Sequence, residues 1–189
     1  MNRRLTVAST TAAIAIAVGS VGPATAFAGL PSTKNGSLIV PGVSIGAVKL
    51  GVRKARLLTA WGPGGDCRPN TIEGGCFYSN PTRTDLGNAI FTTNNSTVDT
   101  MQLQLGSKSG DITKPNFRTS LTAFHTKSGI RLGSTAAALV RAYPKAKRTS
   151  VGSGLVDYRL IGPRRNATNF RTAGGRVSVI AIEDSRPRG

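Results

Sequence analysis

The chain has little acid and little of the chemistry that marks an enzyme. Its 189 residues hold 8 Asp and Glu against 25 Lys and Arg, with a single His, two Cys and one Trp. A His-dependent nucleophile needs its base within hydrogen-bond reach, and His125 stands alone in Ala123-Phe124-His125-Thr126. One His and two Cys do not make a zinc site, which needs four N, O or S ligands. The carboxylates Asp66, Glu73, Asp85, Asp99, Asp111 and Asp157 are scattered, and no spacing argues for a glycosidase pair. Only Glu183 and Asp184 are adjacent, with Arg186 nearby to pair with them. Gly62-Pro63-Gly64-Gly65 lacks the Lys-Ser/Thr of a phosphate loop and reads as a turn. Beyond residue 28 no apolar run approaches the ~20 residues a membrane span needs. The expectation is a protein that is not an enzyme, with no catalytic, cofactor or metal site and no membrane span.

What is present begins with the N-terminus. Arg3 and Arg4 precede the small apolar stretch Leu5–Val18, and Ala26-Phe27-Ala28 offers a cleavage site. Residues 1–28 therefore read as a secretory signal peptide, and the chain as secreted. In that oxidising compartment Cys67 and Cys76 are expected to form a disulfide. Asn35, Asn94, Asn95 and Asn166 open N-x-S/T sequons, which matter only if the host glycosylates.

The positive charge, +17 in all, is uneven. Residues 29–110 carry 8 basic and 4 acidic residues, whereas residues 111–189 carry 15 and 4. A field of that sign concentrates anionic partners. Lys145, Lys147, Arg148, Arg164, Arg165, Arg171 and Arg176 form a candidate anion or partner patch if the fold brings them together. Its partner would be nucleic acid, an anionic wall polymer or an acidic protein; the plain alternative is a solvated face. Arg165 with Phe170 offers a stacking surface for a base.

One phrase occurs twice. Residues 46–63 read GAVKLGVRKARLLTAWGP and residues 128–144 read SGIRLGSTAAALVRAYP. At a shift of 82 positions Val48 falls on Ile130, Leu50 on Leu132, Gly51 on Gly133, Leu57 on Leu139 and Trp61 on Tyr143. Leu50, Leu57, Leu58 and Trp61 share one helical face, with Gly62 and Pro63 to end the helix. Ala136, Leu139, Val140 and Tyr143 form the second stripe, with Thr135 as N-cap, whereas Arg53 stands where the first helix would want that cap. Strand signals follow each helix. Cys76–Tyr78, Ala89–Thr92 and Val98–Leu105 follow the first, and Met101, Leu103 and Leu105 mark a buried face at period two. Leu155–Ile161, Asn169–Thr172 and Arg176–Ile182 follow the second, and Asn116–Phe124 reads as one more strand.

Residues 29–45 read as an extended arm whose apolar run Leu38–Val40 could form a short strand, 46–110 as a first α/β repeat and 111–189 as a second. The expected class is α+β: two tandem helix-plus-antiparallel-meander repeats sharing one sheet, with helices packed on one face. The phrase L-G-(five residues)-L, ending in an aromatic and Pro before a meander, resembles the fold of the outer-membrane assembly lipoprotein BamE. Two copies in a secreted chain with a disulfide are similar to the beta-lactamase inhibitory proteins of actinobacteria. That resemblance implies a concave sheet that grips a partner enzyme. It carries over no contact residue, because this chain is poor in the aromatics that anchor such interfaces. The expected function is a secreted, non-enzymatic binding or inhibitory protein using an exposed sheet face and loops. The alternative is a cell-surface or polyanion-binding protein acting through the basic C-terminal half; an unrecognised secreted enzyme ranks third.

Overall fold

Thirteen strands and helices can be followed through the computed structural model, which describes residues 29–31, 33–62, 74–80, 82–94, 97–111 and 113–184. The expected signal peptide, Pro63, Cys67, the Asn95 sequon and Arg186 lie outside the described residues. In chain order the elements are β1 (Leu38–Val40), β2 (Ser44–Ile45), β3 (Val48–Lys49), α1 (Lys54–Trp61), β4 (Gly74–Ser79), β5 (Asn88–Asn94) and β6 (Thr97–Gln104). There follow β7 (His125–Thr126), α2 (Ala136–Ala142), β8 (Lys147–Gly152), β9 (Leu155–Ile161), β10 (Ala167–Ala173) and β11 (Arg176–Glu183).

Seven strands make one antiparallel sheet in the order β4-β5-β6-β11-β10-β9-β8. Alternation puts every second side chain on its inner face. Register aligns Tyr78, Ala89, Leu103, Ile180, Phe170 and Tyr158 in one inward row across six strands. All six are buried. The hairpin between β10 and β11 turns at Gly174 and Gly175, with φ of 56° and 73°, a left-handed pair that glycine adopts without a Cβ clash. The four remaining strands form a small mixed sheet, β3-β2-β1-β7, in which β1 runs parallel to β7. Ile39, Ile45, Val48, Leu121 and Phe124 from that region join the same core cluster as the large sheet.

The expected α+β class is corrected: the molecule is mostly β, without a layout of helix-packed repeats. The helices have 8 and 7 residues, too short to form a layer of their own. Each buries one leucine completely, Leu57 or Leu139. Val140, read as part of the second apolar stripe, is 46% exposed. The small mixed sheet was not expected, and strands β8 to β11 follow α2 where three strands were expected. Asn116–Phe124 is not a strand. Thr119 accepts the Leu121 N–H on its hydroxyl and starts a 3-10 turn over Ser120–Ala123.

Aromatic packing completes the interior. Trp61 meets Phe91 edge-on at 4.3 Å between ring centroids and lies 5.5 Å from Tyr78. Tyr143 stacks on Phe170 at 5.6 Å. Tyr78 donates its hydroxyl to the Gly62 carbonyl at 2.7 Å, and burial pushes the Tyr78 pKa up to about 12.

Candidate functional site

The side chains that alternate with the inward rows cover the outer face of the large sheet. One row crosses all seven strands: Phe77, Ile90, Gln102, Ala181, Asn169, Arg159 and Lys147. The next holds Ser79, Asn88, Gln104, Val179, Arg171, Asp157 and Thr149. The first row is therefore graded: apolar at β4 and β5, where Phe77 is 37% exposed, amide-bearing in the middle and charged toward β8, while the second row starts polar at Ser79 and Asn88. From β6 to β8 the face forms a cleft of about 450 Å³.

The charges in the cleft are fixed against one another. Arg171 on β10 grips Asp157, its direct cross-strand neighbour on β9, through two bonds of 2.7 and 2.9 Å. That hydrogen-bonded carboxylate, countered by partial burial, holds the Arg171 guanidinium above its ordinary pKa. Arg159 on β9 reaches across β10 to Glu183 on β11, and sits 3.4 Å from the Asn169 amide oxygen. Both pairs are part-exposed, so each contributes at most ~1 kcal/mol to stability. Their larger effect is positional, since paired side chains present fixed donors and acceptors. In the middle of the face, Gln102 donates to Gln104 at 2.8 Å.

The seven predicted basic residues do not gather in one patch. Lys147 and Arg171 line the cleft. Arg148 pairs with Tyr158 and so stands in an inward-facing row at the exposed β8 edge. Arg176 lies at the far end of the sheet. Its guanidinium donates to the Gly133 carbonyl at 3.0 Å and sits 5.9 Å from the Phe117 ring centre. Lys145 and the Arg164–Arg165 turn fall at the opposite end, ~20 Å away along β10. The proposed Arg165–Phe170 stacking surface does not exist, because Phe170 is completely buried under Tyr143. Cys76 is buried in β4, and there is no free cysteine among the described residues. His125 lies exposed in β7, away from the cleft.

Asp157, Arg159, Asn169, Glu183, Gln102 and Gln104 escaped the sequence reading as site residues. Gln102 and Gln104 alternate with Met101, Leu103 and Leu105 and so read as outward, whereas the other four carried no facing signal in that reading. Their pairing depends on register, which a single sequence does not state.

The turn from Gly162 to Asn166 is a second distinct feature. Arg164 and Arg165 are consecutive non-glycine residues at φ of 58° and 64°. Each such left-handed residue costs about 1–2 kcal/mol. The turn is held by Gly162 N–H to the Asn166 carbonyl at 2.8 Å and Asn166 N–H to the Pro163 carbonyl at 3.1 Å. It is also clamped to the small sheet: the Asn166 amide donates to the Gly42 carbonyl at 2.8 Å, and Gly42 N–H donates to the Thr168 hydroxyl at 2.7 Å. A Cβ on Gly42 would come within 3.1 Å of the Gly162 Cα, so glycine is what lets the two turns touch.

No helix among the described residues is long and apolar enough to cross a membrane. No group of three or more His, Cys, Asp and Glu among them is placed to hold a metal ion. No protein-family model and no curated protein matches the chain. Among solved structures it is similar to an extracellular protein containing a SCP domain from Bacillus anthracis str. Ames, at 11% identity and a TM-score of 0.42. That alignment covers 72% of this chain but only 44% of the other, a likeness that assigns neither fold nor function.

Proposed function

We propose that this chain is a secreted binding protein that captures a protein partner on the outer face of its large sheet. The graded row from Phe77 to Lys147 carries the reading. A polyanion would call for uniform positive charge, whereas this face offers apolar surface, amides and paired charges in sequence. Seven strands at ~4.8 Å spacing span about 29 Å. With strands of about 20 Å the face covers roughly 600 Å², close to the ~800 Å² per partner of a standard interface.

The test is capture from culture medium by the full mature chain and by a Phe77→Asp/Gln102→Lys variant. Both changes point outward and leave the core intact. Wild type enriches one defined protein at 1:1 and the variant loses it. Recovery of polyanions alone, or equal capture by the variant, overturns the proposal.

A further inference from the structure

Beyond the sheet face, the geometry points to the free edge of β8 as a strand-addition site for an extended, acidic segment of a partner protein. Three observations carry it. First, β8 ends the seven-stranded sheet with β9 as its only neighbour, and all six of its residues are exposed. Second, the edge offers an open ladder. In the β9–β10 register Gly162 N–H bonds to the Asn166 carbonyl at 2.8 Å, so the even-numbered residues of β9 bond to β10 and the odd-numbered ones to β8. The pairs Lys147–Arg159 and Thr149–Asp157 therefore exchange the ladder bonds, and the N–H and C=O of Arg148 and Ser150 point off the free edge. An extended chain laid there satisfies them with its own backbone.

Third, the edge selects by charge. Lys145, Lys147 and Arg148 form no ion pair among the described residues. Lys147 and Arg148 are successive, so they flank the edge on opposite faces of the sheet. The acid nearest in register, Asp157 opposite Thr149, is held by Arg171. Glu183 and Asp184 lie at and just beyond the end of β11, three strands or ~14 Å away, and Glu183 is engaged by Arg159. Lys147 and Arg148 discourage a neutral or basic strand, and a second copy of β8 would add two like charges to the same short ladder. The same cations favour an acidic strand. Main-chain bonds then supply affinity and carboxylates the selection. The bulge between Ser150 and Gly152 confines the regular ladder to Lys147–Ser150, so the fitting core is about four residues long, with carboxylates at adjacent positions.

The experiment titrates the full mature chain with a labelled, end-blocked peptide, Val-Thr-Glu-Glu-Val-Thr-Val, and with versions carrying Gln or Lys in place of both Glu. Two further versions carry N-methyl groups on one or the other alternate set of residues. Wild type binds the Glu peptide and loses at least tenfold on the Gln peptide. One N-methyl set loses at least tenfold, because its N–H groups face β8; the other loses less than threefold, because its N–H groups face solvent. Ser150→Pro removes a free-edge donor without touching a β8–β9 bond, so Tm holds while affinity falls at least tenfold. The peptide arms decide the matter even if that variant unfolds. Lys147→Glu/Arg148→Glu reverses the preference to the Lys peptide, whereas Arg131→Gln/Arg141→Gln, which removes two exposed cations elsewhere, loses less than threefold. The proposal is overturned if wild type shows no saturable binding, if the Gln peptide binds as tightly as the Glu peptide, or if both N-methyl sets lose equally. Self-association of the free chain that Ser150→Pro abolishes also overturns it, since a second copy would then cover the edge.

Discussion

Ahead of α1, Gly51 at φ 78° donates its N–H to the Val98 carbonyl at 2.7 Å, and Val98 returns its N–H to the Val52 carbonyl at 2.9 Å. Ahead of α2, Gly133 at φ 90° donates to the Val177 carbonyl at 2.8 Å, and Val177 returns its N–H to the Ser134 carbonyl at 2.8 Å. An isolated bridge follows in each, Arg53 to Thr97 and Thr135 to Arg176. The repeated phrase thus encodes a local device twice: a left-handed glycine that docks a turn on a strand and launches one short helix. What differs is the finish. The first site has an uncapped helix and a Trp edge-on to Phe91. The second has a capped helix and a Tyr stacked on Phe170. Sequence identity in the phrase marks the shared backbone device, and divergence marks what each site packs against.

The hardest test of that equivalence is the shared leucine. Leu57 and Leu139 are each completely buried. Leu57→Ala and Leu139→Ala should each cost about 2–5 kcal/mol by denaturant unfolding. A cost below ~1 kcal/mol at one site would show that its helix is an ornament.

Next comes an asymmetry outside the phrase. Cys76 is buried in β4, and the second half has no cysteine. A Cys67–Cys76 bridge closing so short a loop should stabilise the fold by about 2–3 kcal/mol. Reductant, or Cys67→Ala, should lower stability by that amount, and a thiol assay on the unfolded, unreduced chain should find no free thiol. Two titratable thiols would remove the bridge from the comparison.

The glycines separate the two turns by a smaller margin. Both φ values are left-handed, so Ala at either position costs about 1–2 kcal/mol. At Gly51 a Cβ meets nothing within 4 Å, whereas at Gly133 it lies 3.2 Å from the Phe117 ring. Moving that ring disturbs the Arg176 contact, worth ~0.5–1 kcal/mol. Gly133→Ala should therefore be the costlier change by less than ~1 kcal/mol; the reverse order in thermal melts would put the strain elsewhere.

Alkaline pH tests the first site alone. Burial raises Tyr78 to about 12. Between ~10, where an ordinary tyrosine ionises, and that value, the unfolded chain releases a proton that the folded chain keeps. This contribution to stability is complete below ~10 and is lost as pH rises through about 12. Tyr78→Phe should remove that part of the alkaline loss. At neutral pH it should cost ~1 kcal/mol, because the Gly62 carbonyl loses its donor.

How much of this was legible follows from element length and exposure. Met101, Leu103 and Leu105 announced β6 because the strand is long enough for period two and is buried on one side. Strand β8 was invisible: all six of its residues are exposed, so KRTSVG shows no alternation and read only as charge. Lysine and arginine on such an edge discourage pairing with another chain. The small sheet uses two- and three-residue strands, below any periodic signal, and joins Leu38 to His125 across 87 positions. The helical stripes were legible, but their weight was not. A stripe of four apolar letters suggested a helix layer, and each helix delivered one fully buried leucine. In the site, outward placement was legible for Gln102 and Gln104, opposite Met101, Leu103 and Leu105, and partnership was not. Arg171 looked like a free cation until register set it beside Asp157.

The smallest effect concerns the helix starts. Arg53 and Thr135 share nearly the same backbone, at φ/ψ of −64°/145° and −70°/152°. Thr135 accepts the Ala138 N–H on its hydroxyl at 3.1 Å, and Thr135→Ala should cost ~1 kcal/mol. Arg53 offers no such acceptor, yet the equivalent donor is not stranded. The Arg56 N–H turns back to the Arg53 carbonyl at 2.9 Å, a tighter 3-10 bond that does the work of the missing cap. Arg53→Thr therefore replaces one partner with another rather than supplying an absent one. It also removes a cation from the positive end of the helix. The expected gain is ~0.5 kcal/mol, about half the loss in Thr135→Ala, measured as the shift in urea midpoint at constant slope. Equal and opposite effects would mean that the 3-10 bond contributes nothing, and that the two helix starts differ by one hydroxyl alone.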